Sequence, residues 1–480
     1  MKIRKVVILT VIIIAIYYII GGLVPFMFHP KAEVSEAGKK AVSIVKSPEE
    51  YKDSNQKATI LETSTDALDA RLQIIDEAKE SIILSTFDIR PGKSAEDVFS
   101  CLLEAAERGV KIEIIVDGMS VLTHMKNDSM FYAVGMNENV VIRTYNKPNV
   151  LKPWTWNGRM HDKYIIVDDR VLLVGGRNTF DYFLGTYNIK NLSYDREFLL
   201  YDNNKNKREE GTAIAQMEAY YEKIKQLDTV KVVYKELPFF VSEKEVEQEK
   251  TRLKERYQEI KTEKKELFTE EGSYKQKTVS VGRTVLLTNP TNILTKKPVL
   301  YYDLIAMIGA RKEEAYIHTP YAVFSDDMKE QLTAVCTGDK PVKMQVNSIA
   351  VGDNVMASSD YLLRRKEILE TGVLLYEFQG AHSSHGKSLY IDDTVSVIGS
   401  FNFDMRSAYL DTETMFVIEG KEFTNQLKKN IQVMEEQSIR VTKENKYEEQ
   451  DKVAMAELPK KTAILYRITS ILFQCIRYLI

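Results

Sequence analysis

One pattern, H-x-K-x-x-x-x-D-x-x-x-x-x-x-G-x-x-N, occurs twice in this chain. It falls at His161, Lys163, Asp168, Gly175 and Asn178, and again at His385, Lys387, Asp392, Gly399 and Asn402. A repeat of scattered polar residues at fixed spacing requires an internal duplication, so the chain must build two similar lobes. The length of 480 residues agrees, because at roughly 150 residues per domain it predicts two or three domains. Two of the six histidines occupy equivalent places in the motifs, which favours one chemical site made from two halves.

The pattern of apolar residues repeats along with the motif. In the first half, periodicity predicts helices over 66–79 and 95–108, strands over 81–87 and 110–116, and a later strand over 140–145. The second half follows the same order, with helices over 302–312 and 326–335 and strands over 315–319, 342–346 and 373–376. Each half therefore reads as an α/β lobe with a mostly β core flanked by helices, related to the other by a pseudo-two-fold axis. Predicted boundaries are 58–240 for the first lobe and 285–440 for the second. The charged segment 241–284 between them opens on the capping-box pair Ser242 and Glu245. Its narrow stripe of Val246, Leu253, Tyr257 and Ile260 predicts a solvated connecting helix.

Each motif reads as a strand, a turn at the aspartate and a returning strand. Side chains two apart share a strand face, so His161 and Lys163 project together, as do His385 and Lys387. The turn returns Asn178 and Asn402 towards them. Ammonium and amide donors suit the oxygens of a phosphate better than a metal, so the candidate set is read as metal-free. An imidazole can attack phosphorus or move a proton near neutral pH. With two lobes face to face, one histidine can attack while the other protonates the leaving oxygen. Asp168 and Asp392 complete the motif sets His161, Lys163, Asp168 and His385, Lys387, Asp392, but their strand parity differs, which predicts that they brace the hairpins.

These motifs resemble those of the phospholipase D superfamily. The phrase GSFNFDMRSAYLDTE at 399–413, GGRN at 175–178, and NSIAVGDNV and GVLLYE between 347 and 377 are more similar to bacterial cardiolipin synthases in particular. The resemblance covers about residues 58–440. It implies that His161 and His385 are the nucleophile and the general acid/base, working through a phosphohistidine, with His161 favoured as nucleophile. Lys163, Asn178, Lys387 and Asn402 would bind the phosphoryl oxygens. An acidic residue downstream of each motif would orient its histidine, with Glu197 assigned to the first and Glu413 to the second.

Outside the lobes, residues 6–28 form a 23-residue stretch without charge, long enough to span a ~30 Å hydrocarbon core. A cleaved signal peptide would have an apolar region of only ~7–15 residues ending in small side chains, whereas this one ends in Pro25, Phe26, Met27 and Phe28. A transmembrane anchor over 1–30 is therefore expected, followed by a polar tether over 31–57. Lys2, Arg4 and Lys5 on one flank against Lys31, Lys39 and Lys40 on the other give a slight preference for an inside N-terminus and an extracytoplasmic body. In the tail, 441–480, Ile464, Ile468, Ile471, Leu472, Cys475 and Leu479 recur at helical spacing opposite Arg467, Ser470, Gln474 and Arg477. Such a helix lies in a membrane interface or packs on the body.

A formal charge of −3 carries no basic footprint for nucleic acid. Three scattered cysteines indicate neither a disulfide framework nor a zinc site. The expected activity is phosphatidyl transfer without cofactor, in a single-pass protein of the cell membrane. It would make cardiolipin from phosphatidylglycerol and a second phospholipid, phosphatidylglycerol itself or phosphatidylethanolamine. The alternatives are hydrolysis to phosphatidic acid, another phosphodiesterase or nuclease activity, and an inactive membrane scaffold.

Overall fold

A computed structural model describes residues 2–51, 53–204 and 211–480. The first lobe supplies nine strands: β1 Gln56–Leu61, β2 Ser81–Thr86, β3 Lys111–Asp117, β4 Val140–Tyr145, β5 Tyr164–Val167, β6 Val171–Gly175, β7 Glu197–Asp202, β8 Val230–Val233 and β9 Val279–Ser280. The second lobe supplies β10 Thr284–Thr288, β11 Ala315–His318, β12 Ala322–Val323, β13 Val342–Asn347, β14 Leu374–Phe378, β15 Ser388–Ile391, β16 Val395–Gly399, β17 Phe403–Asp404, β18 Thr414–Glu419 and β19 Ser438–Val441.

The two main sheets run in the orders β8-β4-β3-β2-β5-β6-β7-β1-β9 and β10-β18-β16-β15-β11-β13-β14-β19. Reading the second in reverse matches every strand of the first except β9, so the duplication seen in the motifs extends to the whole topology. The fold is α/β with two equivalent lobes, as the doubled motif predicts. Parallel pairs β2–β3 and β11–β13 are connected by helices, Lys93–Glu107 and Asp326–Cys336, that cover the outer faces. The hairpins β5–β6 and β15–β16 are antiparallel and sit at the centre of each sheet.

Three apolar clusters hold the molecule. One belongs to each lobe, and a third joins Tyr164, Ile166, Leu172 and Phe198 of the first sheet to Tyr316, Tyr390, Ile398 and Phe416 of the second. The shared cluster makes the lobes one body.

Three expected segments differ from the structure. The supposed tether contains the helix Glu36–Lys46, with Ser35 as its N-cap. Ala41, Ile44 and Val45 are buried in the second lobe's core, and Asp303 accepts from the Ser35 amide at 2.7 Å and its hydroxyl at 2.6 Å. The apolar positions were too few to show against the charged residues around them, yet they meet a ready-made surface. The end of the apolar stretch is likewise part of the body, because Phe26 is fully buried there.

The connecting segment forms the helix Glu243–Glu263 with the expected capping box. However, it is docked: Val246, Leu253, Tyr257 and Ile260 enter the first lobe's core. Arg256 donates to Asp97 at 2.8 Å, and Lys261 and Lys264 pair with Asp76 and Asp69. A narrow stripe suffices because its charged neighbours are matched across the contact. β9 also falls inside this segment and adds an edge strand to the first sheet.

The N-terminal helix, Lys2–Leu23, projects with its apolar side chains exposed. It is the one span among the described residues long and apolar enough to cross a membrane. Tyr18 stacks on Trp156 with ring centroids 5.5 Å apart, Tyr17 donates to the Leu151 carbonyl, and Asn157 donates to the Gly22 carbonyl at 2.7 Å. At Gly21 a Cβ would lie 2.5 Å from Pro153 Cγ, so glycine permits this close approach of the helix to the body.

Candidate active site

Each motif histidine lies just before the first strand of its hairpin, where the two lobes meet. Two parallel backbone bridges cross between the lobes here, Met160 with Thr412 and Tyr194 with Ser384. The His161 amide donates to the Thr412 carbonyl at 3.2 Å, and the His385 amide to the Tyr194 carbonyl at 2.6 Å. In a parallel bridge the next residues on both strands are also neighbours. Residue 161 therefore lies beside 413, and 385 beside 195.

The side chains use that placement. His161 Nδ1 pairs with Glu413 Oε1 at 2.9 Å, and His385 Nδ1 donates to the ionised Asp195 at Oδ2, 2.7 Å away. Each imidazole is thus held by a carboxylate from the opposite lobe. This corrects both acid assignments made from sequence, since Glu413 serves His161 and Glu197 serves neither histidine. Glu197 is fully buried in an ion pair with Arg71, with bonds of 2.5 and 2.7 Å, and is approached by Arg177 at 3.5 Å. Sheet register explains the error. Gly175 pairs with Glu197 in the first lobe and Gly399 with Met415 in the second, so Glu197 is equivalent to Met415 and Asp195 to Glu413.

Lys163 and Lys387 are buried beside their histidines. Each ammonium donates to the carbonyl of the histidine two residues before it, and Lys387 Nζ also lies 2.6 Å from His385 Nδ1. Burial lowers Lys163 to about 7 and Lys387 to about 8, against the pull of carboxylates that include Glu413 and Asp195. Nearby, the side-chain oxygens of both Asn178 and Asn402 are buried without a hydrogen-bond partner. An unpaired amide oxygen is costly inside a protein, and finding one at both equivalent positions marks a place for a ligand hydroxyl or other donor, while the amide NH2 groups are the part that can meet phosphoryl oxygens.

Asp168 and Asp392 lie at the far end of the first hairpin strand. Asp168 is five residue steps along the chain from Lys163, about 16 Å at 3.3 Å per residue. Asp168 accepts from the amides of Lys79, Glu80 and Ser81 at 2.7–2.8 Å, and Asp392 from Lys312, Glu313 and Glu314 at 2.7–3.2 Å. Both have positive φ, 53° and 54°. They tie the hairpin turn to the chain entering β2 or β11, the bracing position that their strand parity predicts, and so are corrected out of the catalytic sets that name them with the histidines and lysines.

The two halves differ electrically. Burial, and then the Lys163 ammonium, hold His161 well below its ordinary value, while burial and Lys387 lower His385. Burial also pushes Glu413 up to about 8. On Asp195 the same effect of burial is outweighed by Lys387, His385 and Arg177, which keep the carboxylate ionised to low pH. A further asymmetry lies between each histidine and its lysine. Asp162 accepts from Tyr220 at 2.9 Å and Thr412 at 2.7 Å and is raised by burial to about 7, whereas the second motif has Gly386 there.

The walls differ as well. Phe87 packs 5.3 Å from the His161 ring, whereas Phe183 and Tyr321 lie 4.9 and 6.4 Å from His385. Behind Tyr321, Asp353 accepts from Tyr182 at 3.1 Å and from Tyr321. The aromatic residues and Asp353 stand at no fixed spacing from either motif, so the sequence does not assign them to the site. The register of the returning strand, counted back by two, is the signal that would have located Asp195.

No cluster of three or more metal-ligating side chains occurs among the described residues. The two histidines, two lysines and two amides form a set able to hold a phosphoryl group between two imidazoles, each paired at Nδ1 with a carboxyl group of the other lobe.

A sequence model described as "Cardiolipin synthase, PLD-like domain" matches residues 72–225 and 304–434. The chain therefore belongs to the phospholipase D-like family and is an enzyme of that type. It is 24% identical to cardiolipin synthase A of Wigglesworthia glossinidia brevipalpis, over 78% of this chain and 67% of that one. Against cardiolipin synthase C of Escherichia coli strain K12 the identity is 25%, over 75% and 81%. The crystal structure of phosphatidylserine synthase from Haemophilus influenzae Rd KW20 superposes with a TM-score of 0.63 at 13% identity, covering 92% of this chain and all of that one, a likeness of fold. Phospholipid synthesis and membrane association follow at the level of class.

Proposed function

We propose that the chain is a phosphatidyltransferase that makes cardiolipin from phosphatidylglycerol and a second phospholipid, phosphatidylglycerol or phosphatidylethanolamine, through a phosphohistidine. The observation that carries this reading is the pair of imidazoles, each held at Nδ1 by a carboxylate of the other lobe. A carboxylate at Nδ1 keeps the proton there and leaves Nε2 free for chemistry.

His161, the more depressed of the two, is neutral and acts as nucleophile. Its Nε2 attacks the phosphorus of the donor, and the bond to the leaving alcohol breaks as His385 gives that oxygen a proton. His385, beside an Asp195 held ionised, then takes the proton of an incoming hydroxyl. The new oxygen attacks phosphorus and the phosphorus–nitrogen bond breaks. Lys163, Lys387, Asn178 and Asn402 bind the phosphoryl oxygens as charge shifts onto them.

Incubation of the purified chain with phosphatidylglycerol vesicles, with products identified by mass spectrometry, tests the proposal. Cardiolipin and glycerol are expected. Phosphatidic acid would make water the acceptor, and no turnover would leave a scaffold. Turnover surviving in His161→Ala or His385→Ala would overturn the two-histidine mechanism.

We also assign the globular body to the extracytoplasmic side, with Arg4 and Lys5 inside. With Cys336 and Cys475 replaced by serine, a cysteine in place of the exposed Lys254 should react with an impermeant reagent in intact cells. Labelling only after lysis would reverse the orientation.

A further inference from the structure

The helix Lys460–Leu472 is mounted inside out. A surface helix of a globular protein turns its apolar stripe to the core and its polar face to water. Here Tyr466, Thr469 and Ser470 are buried, and polar contacts hold the element to the helix Val355–Glu370. Thr469 shares a hydrogen bond with Ser359, Gln474 donates to Asp360 at 3.2 Å, and Arg477 donates to the same carboxylate at 2.9 and 3.0 Å. Facing outward are Ile464 at 59% exposure, Leu465 at 46%, Ile468 at 51%, Ile471 at 72% and Leu472 at 63%.

The place of this helix in the molecule says what covers it. It continues into Phe473–Leu479, and the Tyr478 ring lies 6.3 Å from His29, a few residues beyond the N-terminal span. Arg406 donates to the Leu479 carbonyl at 3.0 Å and to the Asn157 carbonyl at 3.1 Å, and Asn157 in turn bonds the end of the span at Gly22. The helix and the exit of the span are therefore fixed to one side of the body. The loop that grips the span adds exposed Val150 and Leu151 there, with Tyr17, Tyr18 and Trp156, aromatic residues of the kind found at membrane–water boundaries. Residues 460–480 contain four basic side chains and no acidic one. Lys460, Lys461 and Arg467 are exposed, beside the apolar face where lipid phosphates would lie. At 1.5 Å per residue the helix is about 20 Å long, too short to cross the bilayer.

We propose that this helix lies flat in the headgroup–acyl boundary of an anionic lipid monolayer, the one from which the N-terminal span emerges. It inserts Ile464, Leu465, Ile468, Ile471 and Leu472 and so seats the body on the membrane at a second point. The proposal holds whichever phosphodiester the site takes.

The test uses the full chain in phosphatidylglycerol-containing vesicles, with Cys336 and Cys475 replaced by serine and an environment-sensitive dye attached at Ile468→Cys, at Ile471→Cys or, as control, at Lys254→Cys. Insertion predicts quenching by doxyl-labelled acyl chains at 468 and 471 but not at 254, and iodide quenching about fivefold weaker at 468 and 471 than at 254. Equal iodide quenching at all three positions would overturn the proposal. So would cross-linking between copies through Ile468→Cys, because a second chain would then cover the face. If a single cysteine perturbs folding, the other position carries the same test, with thermal melting identifying the intact variant.

Discussion

At the scale of single residues, the site depends on carboxylates borrowed across the lobe boundary. Asp195→Asn and Glu413→Gln should each lower kcat by roughly 10²–10⁴, the range over which orienting acids of catalytic histidines act, with little change in melting temperature. Glu197→Gln should do the reverse. It leaves the Arg71 guanidinium buried and uncompensated, a loss of about 3–5 kcal/mol, to be measured by denaturant unfolding while per-molecule activity survives. A fall in activity without a fall in stability would return Glu197 to the site.

The pH profile follows from the same groups. Glu413 must lose its proton to accept from His161, so kcat/KM rises as pH climbs through about 8. The lysines must keep theirs to bind phosphate, and His385 must start protonated to act as the acid, so kcat/KM falls as pH climbs past the lowered His385 value and then through about 7 and 8. The outcome is a bell whose alkaline side begins with His385 and steepens as the lysines lose their protons. Bound phosphodiester raises the lysines, which moves the alkaline limb of kcat upward relative to kcat/KM, and Lys163→Arg should flatten that limb. A flat profile from pH 6 to 9 would exclude this assignment.

Between residues and whole lobes, the elements differ in how far their sequences reveal them. The central strands were legible because buried β-segments are apolar runs of fixed length, and 140–145 was read with the bounds the structure has. The motif hairpins were legible through the Asp168 and Asp392 turns. The helix Glu36–Lys46 was not, since its stability comes from the surface that Ala41, Ile44 and Val45 meet, which periodicity cannot see. The linker helix was seen but not its docking, because the stripe of four residues fits a solvated helix equally well. Leu253→Ala measures that docking. With Leu253 fully buried, it should cost about 2–5 kcal/mol, read by denaturant unfolding. A change under about 0.5 kcal/mol, as at a surface position, would mean the helix is not seated in the lobe.

For the whole molecule, the shared apolar cluster makes stability a joint property. Phe416→Ala removes a ring that packs 5.7 Å from Phe198 of the other sheet, at a cost of about 3–5 kcal/mol. Amide exchange should accelerate in β2 and β11 together. Loosening of the second lobe alone would show that the lobes are merely adjacent. The doubled topology was visible in the sequence, but the exchange of acids was not. A motif reports what one lobe carries and leaves open which histidine each side chain meets across the boundary.

The two crossed bridges also bear on ancestry. A single lobe with this geometry could complete its site only by pairing with a copy of itself, and such a pair must carry the same acid and the same intervening residue twice. Joining both lobes in one chain removes that identity. It lets Asp195 stand opposite Glu413 and Asp162 opposite Gly386, so that evolution can give the two histidines unequal tasks.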